Sequence, residues 1–204
     1  MIIIEGIDEF RIKLASRSPR RQQLLSELGL KFDVTIKDYD ESYPDDLSGV
    51  EIARHVAHQK AIIFKDEITD NDIVITADTI VWCNDKMLGK PADYKEAVLF
   101  LKEISGKTHE VITGVSIFTL VKEKLFSVTT KVTFEELSDE EISYYIRKYK
   151  PFDKAGAYGI QEWIGIAACS NIEGSYFNVV GLPVQRLYKE LKDLIKEIKE
   201  INES

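Results

Sequence analysis

An apolar pair, Ile12 and Leu14, is separated from a helix start at Ser18-Pro19 by only three residues, and this junction constrains the fold more than any other stretch. Ser18 is a favoured N-cap, and Pro19 suits the first helical position, where its missing N–H costs nothing and its fixed φ is already helical. The helix places Leu24, Leu25 and Leu28 on one face and is predicted to stop at Gly29, a natural left-handed C-terminal residue. The end of a strand is therefore followed at once by backbone N–H groups, the Ser16 and Ser18 hydroxyls, and the guanidinium groups of Arg20 and Arg21. That combination is the chemistry of a phosphate site. On an ordinary surface helix, cations in the first turn oppose the helix dipole; a bound anion offsets the conflict.

The length, 204 residues, suffices for a core without disulfide staples, and one compact unit is the expectation. With 44% hydrophobic and 30% charged residues the chain reads as globular rather than disordered. Its formal net charge of −8 argues against a nucleic acid polymer as main partner, because such a partner needs a broad basic face. A small anion in a local basic pocket is compatible with that charge. Cys83 and Cys169 lie far apart with no CxxC spacing and read as reduced small hydrophobes of a cytoplasmic protein. The brief apolar run Ile2 to Ile4 is followed by Glu5, Asp8 and Glu9, which is not a signal peptide, and no run approaches a membrane span.

Along the chain, Phe32 to Ile36 reads as a second strand, followed by an acidic loop from Lys37 to Gly49. Ser48 and Glu51 form a capping box that opens a helix to about Asp66, with Ile52, Val56 and Ile63 on its apolar face. Asp72 to Ala77 is a nearly continuous apolar run ending in Asp78, the pattern of a buried strand that delivers a residue at its tip. Ile80 to Met87 reads as a hairpin turning at Asn84-Asp85. A helix is expected from about Asp93 to Ile104, closed by Gly106. Two strands, Val111 to Leu120 and Leu125 to Phe134, are predicted to flank a turn at Lys122-Glu123-Lys124. Ser138 and Glu141 open another capped helix that ends before Pro151. The glycine-rich stretches from Lys154 to Gln161 and from Gly174 to Pro183 mark places where backbone approaches something closely. A last amphipathic helix begins at about Pro183. Strands alternating with helices, with a long hairpin, imply an α/β chain around a mixed sheet.

Glu41, Lys60 and Lys90 could each, taken singly, be solvated surface charges. Asp78 differs, because an acid at the end of an apolar strand sits where open α/β sheets bind ligands. The chemistry fits together if Asp78 activates a water or holds a metal while arginine and lysine residues neutralise a polyphosphate. Lys90 precedes Pro91, which restricts its backbone. His55 and His58 share a helix, yet no second ligand pair at matching spacing accompanies them and His109 is isolated, so a zinc site is not expected. Tyr144, Tyr145, Trp82 and Trp163 read as core or interface aromatics. Gln161, an amide ending a glycine-rich segment, offers a donor and an acceptor together, as reading a pyrimidine edge requires.

Together, Leu14 to Arg21, Ala77-Asp78-Thr79-Ile80-Val81, Gly89-Lys90-Pro91, Asp153 to Gln161 and Gly174 to Pro183 closely resemble the Maf family of nucleotide pyrophosphatases. Ala-Asp-Thr-Ile-Val paired with Lys-Ala-Gly-Ala-Tyr-Gly-Ile-Gln is similar to the branch that hydrolyses dTTP and UTP, and the 7-methyl-GTP branch differs at both places. The resemblance implies cleavage between the α and β phosphates to give a nucleoside monophosphate and pyrophosphate, with Mg2+ or Mn2+, as nucleotide-pool cleaning. It implies Asp78 as general base, Ser16, Arg20, Arg21, Lys60 and Lys90 as polyphosphate clamp, and Glu41 as acidic partner to Asp78 for metal or base. It associates Arg20, Thr79 and Gln161 with nucleotide choice. It further implies one Maf-like domain over residues 1–204, with an elongated mixed sheet flanked by helices, two lobes around an active-site cleft of the Maf/ITPase kind, and a homodimer. Glu162-Trp163-Ile164 departs from the small, glycine-rich sequence usual after this glutamine, which bears on the base pocket. The alternative of another class is a nucleotide-binding regulator of septum formation; a purine preference would point to the 7-methyl-GTP branch.

Overall fold

The structure is a computed structural model that describes residues 4–39 and 42–202. Among the described residues, seven strands form one mixed sheet in the order β2-β1-β3-β5-β6-β7, with β4 also paired to β3. The strands are β1 (Arg11–Leu14), β2 (Asp33–Val34), β3 (Asp72–Cys83), β4 (Lys86–Leu88), β5 (Thr108–Phe118), β6 (Glu123–Phe134) and β7 (Cys169–Glu173). The helices are α1 (Pro19–Glu27), α2 (Gly49–Ile62), α3 (Tyr94–Ile104), α4 (Asp139–Tyr149), α5 (Trp163–Ala168), α6 (Tyr176–Val180) and α7 (Val184–Asn202). β1 pairs in parallel with β2 and β3, whereas β3–β4 and β6–β7 are antiparallel. The chain divides into two compact units, one of Met1–Asp78, Thr113–Val128 and Gly181–Ser204, the other of Thr79–Ile112 and Thr129–Val180.

In the first unit, β1, α1 and β2 make a parallel β–α–β unit, with Leu24 and Leu25 of α1 buried. β2 is only two residues long, shorter than the predicted Phe32 to Ile36, because it lies at the sheet edge with both residues exposed. α2 opens at Ser48, whose N–H is accepted by the Glu51 carboxylate at 3.2 Å, as the capping box requires. Its buried face, Ile52, Ala53, Val56, Ala57 and Ala61, is built of small and branched residues. This lets α2 lie close to the sheet: a Cβ on Gly114 of β5 would collide with the Ala53 carbonyl, and Thr76 of β3 donates to the Ala57 carbonyl at 2.5 Å. Ile73, Val74 and Ile75 are fully buried, in accord with the continuous apolar run.

Asp78 does not end that strand. β3 continues to Cys83, since Thr79-Ile80-Val81-Trp82 keep strand-forming side chains and find β4 as a partner. The hairpin turns at Asn84-Asp85 as expected, both with positive φ. The expected Lys122-Glu123-Lys124 turn is displaced: Glu123 and Lys124 belong to β6, and the chain turns at residues 119–122, where the Thr119 N–H donates to the Lys122 carbonyl at 2.9 Å. Among the described residues, no helix is long and apolar enough to cross a membrane.

In the second unit, the capped helices α3 and α4 form as read. The Asp93 side chain accepts from the Glu96 N–H, and Ser138 and Glu141 make the second capping box. The core holds Leu101, Ile104, Phe134, Ile142, Tyr145 and Ile146. Among these lies His109, its Nε2 at 2.8 Å from the Tyr158 hydroxyl and its ring edge-on to Phe134 and Tyr158. Burial lowers its pKa to about 4 from an ordinary 6.5. Between those values the unfolded chain binds a proton that the native imidazole refuses. Stability present above pH 6.5 therefore falls as the pH drops towards 4, by about 3 kcal/mol. Urea unfolding at pH 7 and pH 5 should show about 2 kcal/mol of this loss in the natural chain and a flatter dependence in His109→Gln; an equal slope in both would overturn the assignment.

Candidate active site

The first unit gathers most of the expected residues around the start of α1. Ser16 is buried; its hydroxyl oxygen accepts the Ser18 N–H at 3.2 Å and stands 3.4 Å from Arg21 Nη1. Ser18 takes the N-cap position but, contrary to the expectation, its side chain makes no capping hydrogen bond. The first turn of α1 holds no acidic residue to meet the positive end of the dipole.

Arg21 points into the unit. Its Nε donates to the Gly181 carbonyl and its Nη1 to the Ala77 carbonyl, each at 2.8 Å. The Ala77 carbonyl meets this donor on the stretch of β3 between Ile75, where the register with β1 stops, and Val81, where that with β4 begins. Burial lowers the Arg21 pKa from its ordinary value; Asp78 raises it, Arg20 lowers it and Tyr39 raises it. The guanidinium stays cationic at neutral pH.

One residue beyond Ala77, Asp78 receives Lys60 of α2, Nζ to Oδ1 at 2.6 Å. The two side chains are 19% and 12% exposed, so the pair is partly shielded yet reachable by solvent. Tyr39, not singled out from the sequence, lays its ring 5.0 Å from Lys60 Nζ. A tyrosine in an acidic loop gave no signal of this. Ser16, Arg20, Arg21, Lys60 and Asp78 thus belong to one unit, with Arg21 and Lys60 brought to adjacent residues of β3 by the bonds at Ala77 and Asp78. Glu41 lies outside the described residues.

Thr79, Lys90 and Gln161 belong to the second unit. There the Gly156 N–H donates to the Gly89 carbonyl at 3.0 Å, which ties the Gly89-Lys90-Pro91 motif to the segment from Lys154 to Gln161. Gly156 is required at that contact: its φ is +66° and a Cβ would press on the Val81 side chain at 2.8 Å. The close approach read from the glycines is thus backbone against protein at this point. Lys90 and Gln161 are exposed.

Among the described residues, no group of three or more His, Cys, Asp and Glu side chains comes together to hold a metal. His58 instead meets the Glu123 carboxylate, Nδ1 at 2.9 Å from both oxygens. Asp78 offers a carboxylate of the kind by which Mg2+ is held together with a substrate's phosphates, its Oδ1 here meeting the Lys60 ammonium.

A family model described as Maf-like protein matches residues 11–194. A dTTP/UTP pyrophosphatase of Phocaeicola vulgatus is 53% identical over 94% of this chain and 100% of its own length. One of Parabacteroides distasonis is 52% identical over 93% and 99%, and one of Flavobacterium johnsoniae 49% identical over 94% and 98%. A solved structure of a nucleoside-triphosphatase / dITP/XTP pyrophosphatase from Mycobacterium abscessus covers 94% of this chain and 97% of its own, at 10% identity and a TM-score of 0.44.

Proposed function

The chain belongs to the Maf family, and from that premise we propose that it is a nucleoside triphosphate pyrophosphatase that hydrolyses dTTP and UTP to the nucleoside monophosphate and pyrophosphate. The relatives named dTTP/UTP pyrophosphatase, matched over nearly their whole lengths, support this substrate class. The observation that carries it on this chain is the Lys60–Asp78 pair at 2.6 Å, one residue from the carbonyl held by Arg21. It supplies a carboxylate for a water and cations for a polyphosphate in one place.

In this reading the water oxygen bonds to the α phosphorus and its proton passes to Asp78, while the bond from that phosphorus to the bridging oxygen breaks and the electron pair leaves on pyrophosphate. Ser16, Arg20, Arg21, Lys60 and Lys90 hold the polyphosphate, and the cations among them neutralise the charge that moves onto the leaving group. Arg20, Thr79 and Gln161 choose the nucleotide. Gln161 is suited to that by an exposed amide that donates and accepts at once. Asp78, with Glu41, would hold a divalent cation, which when bound withdraws charge from the phosphate oxygens. The enzyme works on free nucleotides in the cytoplasm as a homodimer, a reading supported by the family resemblance and, for the exclusion of nucleic acid polymers, by the net charge of −8.

The test is pyrophosphate release with Mg2+ or Mn2+ across dTTP, UTP, CTP, GTP, 7-methyl-GTP and ATP. Release from dTTP and UTP at least about tenfold above the others is expected. A lead for 7-methyl-GTP would move the chain to that branch. No release from any nucleotide would overturn the enzymatic reading in favour of a nucleotide-binding regulator.

A further inference from the structure

Glu162 stands where the resemblance leads one to expect a small residue, and the structure gives it a place. Gly159 to Glu162 is a turn: the Glu162 N–H donates to the Gly159 carbonyl at 3.0 Å, so Ile160 and Gln161 are its central residues. Ile160 is buried and Gln161 exposed. The two ends of this turn meet on one phenol. Tyr145 of α4 accepts the Gly159 N–H at 3.0 Å and donates its own hydroxyl hydrogen to Glu162 Oε2. The other carboxylate oxygen, Oε1, lies 3.1 Å from the ammonium of Lys154, which also meets Asp153 at 2.8 Å.

These groups are held from below. Tyr145 is fully buried and stacks on Tyr149 at 5.1 Å; Lys154 is 9% exposed. Burial and the bond to Glu162 push the Tyr145 phenol far above its ordinary pKa, so it remains a donor throughout the physiological range. The glycines at the turn fit this tight arrangement. A Cβ on Gly159 would come within 2.9 Å of Glu162 Cδ, and one on Gly165 would collide with the Ile160 carbonyl. All of these residues belong to the second unit.

We propose that Tyr145 and Glu162, braced by Lys154, are positioning residues for base selection: they lock the turn whose outer residue is Gln161 and so fix where its amide is presented. The proposal rests on the pyrimidine-nucleotide reading above. A locked amide discriminates because a base with the wrong edge cannot draw it into a new position, whereas a loose one adapts to several edges. None of these side chains is assigned contact with the nucleotide.

The test measures kcat and KM of the full chain on dTTP, UTP, CTP and GTP for the natural sequence, Tyr145→Phe, Glu162→Ala and Glu162→Gln. Tyr145→Phe removes one oxygen and keeps the stacked ring. Tyr145→Phe and Glu162→Ala should each lower the ratio of kcat/KM for dTTP and UTP over CTP and GTP about tenfold, through KM, with kcat on dTTP within about twofold. Glu162→Gln should hold the ratio within about twofold, because its amide oxygen still accepts the Tyr145 hydroxyl hydrogen. Ratios unchanged in both disruptive variants, or losses equal on every nucleotide, would overturn the proposal while leaving the pyrimidine reading intact. A natural chain that shows no preference among the nucleotides would overturn that reading, and this inference with it. Should Glu162→Ala fail to fold, Tyr145→Phe decides alone.

Discussion

Asp78→Asn is expected to lower kcat for pyrophosphate release from dTTP by about a thousandfold, the middle of the range that a positioned general base contributes. The substitution is nearly isosteric. Its amide oxygen can still accept from the Lys60 ammonium, which in the natural chain reaches Oδ1 at 2.6 Å. What it removes is the ability to take a proton from water and one of the charges that orders the surrounding cations. The pair is partly exposed, so the stability cost should stay near 1 kcal/mol, small against the catalytic loss. Nucleotide binding should persist, because the arginines and lysines assigned to the phosphates are untouched. The experiment pairs single-turnover kinetics with calorimetric binding of dTTP. An unchanged kcat would remove Asp78 from the proton-accepting role; a loss of binding equal to the loss of rate would make it a binding residue instead.

The position of Asp78 also shows where sequence reading stops. The chain foretold Ser48–Glu51, Ser138–Glu141, the Asn84-Asp85 turn and the helix start at Pro19 because each is decided by residues within a turn of one another. That the apolar run to Ala77 and the hairpin strand from Ile80 are one unbroken strand through Asp78 was not readable, because an acid closing an apolar run carries no local sign that the strand continues. α5, β7 and α6 escaped notice for a related reason. At six, five and five residues they are too short to show a period, and they are placed by partners distant in sequence. Asn178 of α6, for example, donates to the Val111 carbonyl and to Thr130 Oγ1.

The candidate site divides the same way. Residue types near the α1 start suggested a phosphate site, and Ser16, Arg21, Lys60 and Asp78 fall in the same unit, joined through the bonds at Ala77 and Asp78. Tyr145 read as a core or interface aromatic, and it is buried in the core. Its hydroxyl, however, meets a residue 17 positions on, a pairing that no local pattern encodes. Glu162 was visible only as a departure from the expected small residue, without a reason.

Arg21 is expected to cost the protein most when removed, for a reason separate from the phosphate role proposed for it. Its guanidinium joins α1 to two main-chain carbonyls of the first unit, Ala77 on β3 and Gly181 ahead of α7, each at 2.8 Å. Both carbonyls belong to buried residues, so Arg21→Ala takes a charged donor from two acceptors where water has little access. Charge-assisted hydrogen bonds of this kind contribute about 1.5–3 kcal/mol each, and leaving a buried acceptor unmet costs a similar amount. Because the arginine side chain is itself only partly buried, the lower half of that range applies. The expected loss is about 3 kcal/mol, or roughly 6–12 °C in Tm for a chain of this size. Arg21→Lys keeps the charge but not the planar fork, so a single ammonium cannot meet both carbonyls in their present directions, and it should recover less than half of the loss. Thermal unfolding of the two variants without nucleotide measures this, apart from any effect on phosphate binding. If Arg21→Ala unfolds at the temperature of the natural chain, the carbonyl bonds carry no stability and Arg21 acts on the phosphates alone. If Arg21→Lys restores stability fully, charge rather than fork geometry holds α1 to β3.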